Sequence, residues 1–190
     1  MQDTPTIIWD FLYSRICNPY GVAALMGNLE AESSLNPFNA TGTKLSNADY
    51  TLSADIGAID FVHDSVAYGL AQWRYYSRKQ GLLNKAQTQQ KSVGDINVQL
   101  EYLWEELQKY KTVLTALKEA KDVKIASDIV MLKYEKPSNI SETMKQKRAV
   151  RGQKYLEKYL SKYTNVTIKV SRKYAEELRK IFKSAFNKLL

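Results

Sequence analysis

Apolar residues recur at helical spacing from the start of the chain. Ile7, Ile8, Phe11 and Leu12 mark one face behind Thr4-Pro5, a pair that supplies an N-cap oxygen and a preset φ, and Asn18-Pro19 breaks the run. A second helix is predicted from about residue 20 to 33, with Val22, Leu25, Met26 and Leu29 as its stripe. Gly21, Ala23, Ala24, Gly27 and Ala31 are small, so other elements can approach its backbone; the pattern predicts a buried central helix. Between about 34 and 67 the period is lost and Asn, Thr, Ser, Asp and Gly accumulate. One run there, SADIGAIDFV, fits a short helix or a strand. Structureless loops of this length inside a domain tend to be functional. Helical patterning returns at Ser77 to about Gln89, with Ser77-x-x-Gln80 as a capping box. Asp95 caps the next helix, with Ile96, Leu100, Leu103, Trp104 and Leu107 facing inward. Shorter helices are expected near 112–120 and 123–135, then a stop at Lys136-Pro137 and a long helix over about 141–163. After TNVTIKVS comes an amphipathic segment, 172–190, striped by Tyr174, Leu178, Ile181, Phe182, Ala185, Phe186 and Leu189. The expected fold is mainly α, with an irregular or small β insert after the second helix.

Composition narrows this further. A chain of 190 residues, 44% hydrophobic, can bury one good core with a small appendage. Thirteen Tyr and three Trp beside eight Gly and four Pro suit a helical protein. The single cysteine, Cys17, excludes an internal disulfide and is expected as a buried, inert thiol. One His and one Cys cannot build a three- or four-ligand N/S zinc site, so no metal and no cofactor is expected. No apolar run reaches membrane-spanning length. Asp3, Asp10 and Arg15, without a basic n-region, argue against a secretory signal. Charge is uneven: residues 161–190 hold eight Lys or Arg against two Glu, so +6 of the net +8 sits in the tail.

Two glutamates, Glu30 and Glu32, stand where the central helix ends. With no Ser/His/Asp set, phosphate loop or metal cluster, carboxylates are the main catalytic groups left. A carboxylic acid protonates a leaving oxygen at neutral pH when burial against apolar neighbours raises its pKa, and glycosidic cleavage depends on such an acid. At 100° per residue the two glutamates flank the stripe on opposite sides, and helix geometry alone does not choose between them.

MGNLEAESSLNP (26–37) followed by AYGLAQW (67–73) resembles the phage tail lysozyme family, and more distantly goose-type lysozymes and lytic transglycosylases. DFVHDSVAYGLAQWRYYSRKQGLL, DINVQLEYLWEEL, and YEKP followed by Arg148 continue the resemblance in family order over about residues 20–160. The resemblance implies a lysozyme-like α+β fold over residues 1–163, with 164–190 as a basic appendage. It implies a hydrolase of the peptidoglycan glycan strand, cutting between N-acetylmuramic acid and N-acetylglucosamine. Its E-S pair selects Glu32 as the acid, and its G-L-x-Q motif places Gly69, Leu70 and Gln72 on the cleft wall. Gln72 then binds an N-acetyl or hydroxyl group, and Tyr68, Trp73 and Tyr76 offer faces to the sugars. Tyr76 replaces the Trp common in relatives. Asp64, chosen among the acids of the insert, is the expected second carboxylate, to handle water or stabilise the cation. Without it, a transglycosylase route is open. His63 is assigned no role, Trp104 reads as core, and Glu135 with Arg148 is expected to form an ion pair bracing the last helix.

Residues 172–190 lie outside the resemblance. Their cationic face suits teichoic acid or an anionic membrane, with a helix packed on the domain as the plainer reading. No nucleic-acid-binding fold accompanies the charge, so nucleic acid is not an expected partner. The expected setting is a phage lysin, free in the host cytoplasm until released to the wall or carried in the virion tail. A catalytically silent wall-binding module is the competing class.

Overall fold

Asn18 and Pro19 open the helix around which the rest is built. The Asn18 side chain accepts from the Tyr20 and Gly21 N–H groups, while Pro19 occupies the first helical position. The computed structural model describes residues 2–186, with side chains described through Ser161 and at 171–174, 176 and 177. Two short strands and a series of helices follow one another along it. They are α1 (Thr4–Ile16), α2 (Pro19–Ser33), β1 (Ala40–Thr41), α3 (Asn47–Asp55), β2 (Ala67–Tyr68), α4 (Tyr76–Thr88), α5 (Ile96–Lys109), α6 (Lys111–Lys118), α7 (Val123–Val130), a π-helical turn (Met131–Glu135) and α8 (Glu142–Phe186). Contacts divide the chain into two compact units, Met1–Tyr155 and Leu156–Leu190.

Within the first unit α2 is buried along nearly its whole length, from Gly21 to Leu29. Small residues are what permit this. A Cβ on Gly21 would lie 1.9 Å from the Leu117 carbonyl oxygen of α6. A Cβ on Gly27 would lie 2.4 Å from the Arg148 carbonyl and 2.5 Å from the Gly152 nitrogen of α8. Backbones therefore meet at both places, and the apolar stripe of α2 packs against α1 and α7 as well.

The insert after α2 resolves into α3 and a two-stranded antiparallel sheet, with Ala40 opposite Tyr68 and Thr41 opposite Ala67. SADIGAIDFV ends α3 and then runs through turns; no strand forms in it. Lys79 of α4, 0% exposed, anchors this region. Its ammonium donates to the Tyr50 hydroxyl (2.8 Å), Asp64 Oδ1 (2.5 Å) and the Val66 carbonyl (3.0 Å). Asp64 also accepts from Tyr50 at 2.7 Å and from the Val66 N–H at 3.0 Å. Burial pulls the Lys79 ammonium below its usual range despite Asp64, and burial with the Asp64 bond pushes the Tyr50 phenol up.

Several local expectations change. Asp3, rather than Thr4, caps α1. Cys17 is exposed, because it ends α1 in the left-handed conformation (φ 56°) and so points away from the core. The Ser77–Gln80 box does not form: α4 starts at Tyr76 behind Tyr75, and Gln80 bonds Asn84 instead. Trp104 is half-buried. TNVTIKVS does not interrupt the last helix, which runs unbroken to Phe186; β-branched residues weaken a helix only slightly, and no Gly or Pro is there to stop it. Arg172, Lys173 and Tyr174 are exposed, whereas the expected stripe from Leu178 to Leu189 lies outside the described side chains.

Gly27→Ala is expected to destabilise by roughly 3 kcal/mol, since two backbones would have to separate. Gly57→Asn, at an open φ of +70°, should be nearly neutral. Thermal melts of the two variants check this: equal melting temperatures would mean that α2 and α8 are not locked at Gly27.

Candidate active site

Helix α2 ends abruptly. Ser34 and the buried Leu35 both adopt left-handed φ (55° and 58°), an uncommon state for such residues, and the Ser34 N–H caps the Glu30 carbonyl. The last turn therefore projects its side chains over the loop that follows. Glu32 Oε1 lies 2.5 Å from Nη2 of Arg148. The Arg148 side chain is 4% exposed and that of Glu32 19%. The same guanidinium donates through Nη1 to Asn28 Oδ1 (3.1 Å) and the Asn28 carbonyl (3.4 Å). Asn28 is itself fixed by the Ala24 carbonyl and by Ser127 of α7. One turn along α8, Arg151 approaches Glu30 at 3.6 Å. Both glutamates of the motif thus face arginines of one helix face, spaced i and i+3.

Two expectations are corrected here. The neighbour supplied to Glu32 is a guanidinium, not an apolar wall, and Arg148 pairs with Glu32, not with Glu135. Arg148 lies one turn before Gly152, where α8 touches the α2 backbone, so its reach ends at Asn28 and Glu32.

Ser33 links this helix end to the G-L-x-Q block. Its hydroxyl lies 2.9 Å from the Leu70 carbonyl and 3.1 Å from the Leu29 carbonyl. Residues 69–72 form a four-residue hairpin turn closed by paired Tyr68 and Trp73. The turn requires left-handed φ at Gly69 (76°) and Gln72 (45°). Gln99 of α5, wholly buried, stabilises it by accepting from the Leu70 N–H (2.9 Å) and donating to the Pro37 and Val93 carbonyls. A Cβ on Gly69 would strike the Gln99 amide at 2.6 Å. The amide nitrogen of Gln72 is spent on the Asn39 and Gly69 carbonyls, each at 3.1 Å, leaving its carbonyl oxygen as the end that can meet a ligand donor.

The other expected residues separate. Tyr68 and Trp73 are 0% exposed and present no face to a sugar. Tyr68 bonds Thr51, and Trp73 donates to Glu106 at 2.6 Å, so each is core with a satisfied polar end. Tyr76 is 66% exposed and stacks on His63, which is held by Asp60 at 3.0 Å. Asp64 turns its oxygens to Lys79, Tyr50 and Val66 rather than to Glu32.

Two further carboxylates lie deeper. Glu106 accepts from Trp73, from Nε and Nη2 of Arg78, from Tyr134 and, at 3.4 Å, from Tyr102. Burial works to raise its pKa, but the Arg78 bonds and charge with those hydrogen bonds prevail and hold it below the usual range. Glu135, at the end of the π turn, buries Oε1 without a hydrogen-bond partner. Burial, then the nearby Glu32 charge, push its carboxyl up to about 8, against the pull of Arg78 and Arg148. Gln99 and Glu106 sit seven residues apart on the apolar face of α5, the signal in sequence that could have marked both as buried and bonded.

A family model described as phage tail lysozyme matches residues 3–159. No curated protein matches the chain significantly. That match spans most of the chain: the chain belongs to the phage tail lysozyme family, a lysozyme-like hydrolase of the cell wall.

Proposed function

We propose that this chain cleaves the β-1,4 bond between N-acetylmuramic acid and N-acetylglucosamine, with Glu32 as proton donor to the leaving oxygen. The observation that carries the reading is the junction at Ser33, which binds the G-L-x-Q turn to the last turn of α2 beside Glu32. In this reading the partly exposed carboxyl of Glu32, held by Arg148, works beside the backbone of that turn. The Gln72 carbonyl accepts from an N-acetyl N–H or a hydroxyl. Tyr76 contributes an exposed ring. The insert adds a cavity of about 490 Å³ lined by Asn36, Phe38, Asn47, Thr51, Leu52 and Asp55, amides beside an apolar ring, which suits a sugar.

Glu135 lies near enough to Glu32 for their charges to interact, and below about pH 8 it holds a proton beside the Glu32–Arg148 pair. Asp64 anchors the insert through Lys79 in this reading and does not touch the reacting atoms. The biological setting we propose is phage lysis or entry, as an endolysin or a tail component. No described helix is long and apolar enough to cross a membrane.

A lytic transglycosylase reaction is the second reading. One observation favours it: Asp64 is engaged by Lys79 and Glu135 is uncharged at neutral pH, so neither offers a free carboxylate to activate water. The substrate's own hydroxyl then attacks. Mass spectrometry of ends released from purified walls separates the two, reducing ends for the hydrolase and anhydro ends for the transglycosylase.

Glu32→Gln should cost on the order of 3 kcal/mol, because the buried Arg148 loses its counter-charge, and each folded molecule should lose about 10²–10⁴-fold in wall cleavage, the usual contribution of general acid catalysis. Activity within about tenfold of the parent removes Glu32 from the chemistry. Asp64→Asn should cost on the order of 3 kcal/mol, because it leaves the buried Lys79 without a counter-charge. Cleavage per folded molecule should stay within about tenfold; a loss of hundredfold at full folding would make Asp64 catalytic.

The raised carboxyl of Glu135 has a signed consequence. Between its ordinary 4.5 and about 8 the folded state holds a proton that the unfolded chain has lost. Its contribution to stability is therefore fully present below about 4.5 and declines as pH rises through about 8. Glu135→Gln keeps the neutral form. Melting temperatures of variant and parent, compared at pH 5 and pH 9, should diverge in favour of the variant as pH rises. A constant difference refutes the assignment.

A further inference from the structure

Four lysines converge on a concavity that the Glu32 site does not use. Lys109, Lys111, Lys133 and Lys136, with Tyr110 and Thr112, line a cavity of about 410 Å³ where α5, α6 and the π turn meet. All four are exposed, and among the described residues none of them is in an ion pair. Lys79, Lys85, Lys91, Lys124 and Lys145, by contrast, each have a carboxylate within 4 Å. No carboxylate lines the cavity. Glu135, between two of the lysines in sequence, buries its Oε1 instead of facing them.

The fold brings these cations together. Tyr110 ends α5 and begins α6 in one residue, and its ring packs edge-on against the buried Tyr134, centroids 5.3 Å apart. That contact joins the α5–α6 corner to the π turn, and so Lys109 and Lys111 to Lys133 and Lys136. Lys136 leaves the π turn in the left-handed conformation (φ 50°). Like charges gathered without a counter-ion repel one another, and an anion between them reverses the sign of that energy.

The chemistry of the donors selects the anion. A planar carboxylate is best served by the fork of an arginine, and no arginine lines the cavity. Separate ammonium groups act as point charges and suit a tetrahedral group whose oxygens point several ways. The first turn of α6 has no side-chain cap, so its N–H groups add donors on the same side, beside the Thr112 hydroxyl.

We propose that this lysine-lined pocket binds a phosphate group, and that in use the phosphate belongs to an anionic phosphodiester polymer of the cell wall. The choice of polymer rests on the cell-wall activity; the preference for phosphate does not, and neither depends on which residue donates the proton. The pocket tethers the enzyme to the wall while the site at Glu32 works on the glycan.

The test uses the full chain, a Lys133→Ala/Lys136→Ala variant, and a Lys44→Ala/Lys147→Ala control that removes equal charge from exposed positions elsewhere. Titration with inorganic phosphate and with glycerol phosphate, followed by amide NMR shifts, should move Lys111, Thr112 and Val113 saturably in parent and control. Affinity should fall about tenfold or more in the pocket variant. Absence of a saturable shift, or equal affinity in the variant, overturns the site. Binding to purified walls should be severalfold stronger when the phosphodiester polymer is kept than when it is stripped, and the pocket variant should lose that difference. Equal binding of the parent to both walls, or tighter binding to DNA or anionic vesicles than to the polymer, overturns the ligand assignment. Cleavage of stripped walls by the pocket variant should match the parent, which separates failure here from failure of Glu32 as the acid.

Discussion

A guanidinium almost closed off from water holds this domain's active end in place. Arg148 cannot be left unpaired at its depth, since a buried charge without a partner costs several kcal/mol. Glu32 and the Asn28 side chain and carbonyl are the partners within its reach. That reach exists because Gly27 and Gly152 let α8 lie against the bare backbone of α2. The close crossing, the ion pair and the position of Glu32 are one constraint seen at three scales. Asn28 extends it to α7 through Ser127, so three helices agree on where the carboxyl sits.

The wall that carries the G-L-x-Q turn is held by polar side chains as well as by the buried Tyr50, Phe61, Tyr68 and Leu70. Its strands are only two residues each, which leaves many backbone groups without ladder partners. Helices α4 and α5 supply them. Gln99 takes the Leu70 N–H and the Pro37 and Val93 carbonyls, Lys79 takes the Val66 carbonyl with Asp64, and Glu106 takes the Trp73 indole. Left-handed residues cluster along the same wall, at Ser34, Leu35, Ser65 and Gln72. Such conformations persist where the surroundings over-determine them, as these networks do. Rigid positioning of the turn against the end of α2 is what the networks provide.

The carboxylates of the first unit divide by environment. Glu106, met by Arg78 and three further donors, is held low, whereas Glu135 has a buried oxygen with no donor and is held high. The cations divide in the same way. Lysines such as Lys79 and Lys124 are paired, while the four at the α5–α6 corner and the π turn face one cavity together.

The sequence by itself determined the local order: helices where apolar residues recur every three or four positions, their stops at Asn18-Pro19 and Lys136-Pro137, and an irregular insert after α2. It also singled out the E-S and G-L-x-Q words, because both depend on residues adjacent in the chain. Only the tertiary structure decided which charge meets which. Arg148 could not be matched to Glu32 from sequence, as the pairing depends on the depth of a helix crossing 116 residues away. Tyr68 and Trp73 read as sugar platforms and are core, since an aromatic ring looks the same in sequence on either side of a surface. Asp64 looked like a free acid because its partner, Lys79, lies 15 residues on in α4 and is buried, where lysines rarely are. Spacing along a chain reports which face of an element a residue occupies. What stands opposite that face is settled by packing.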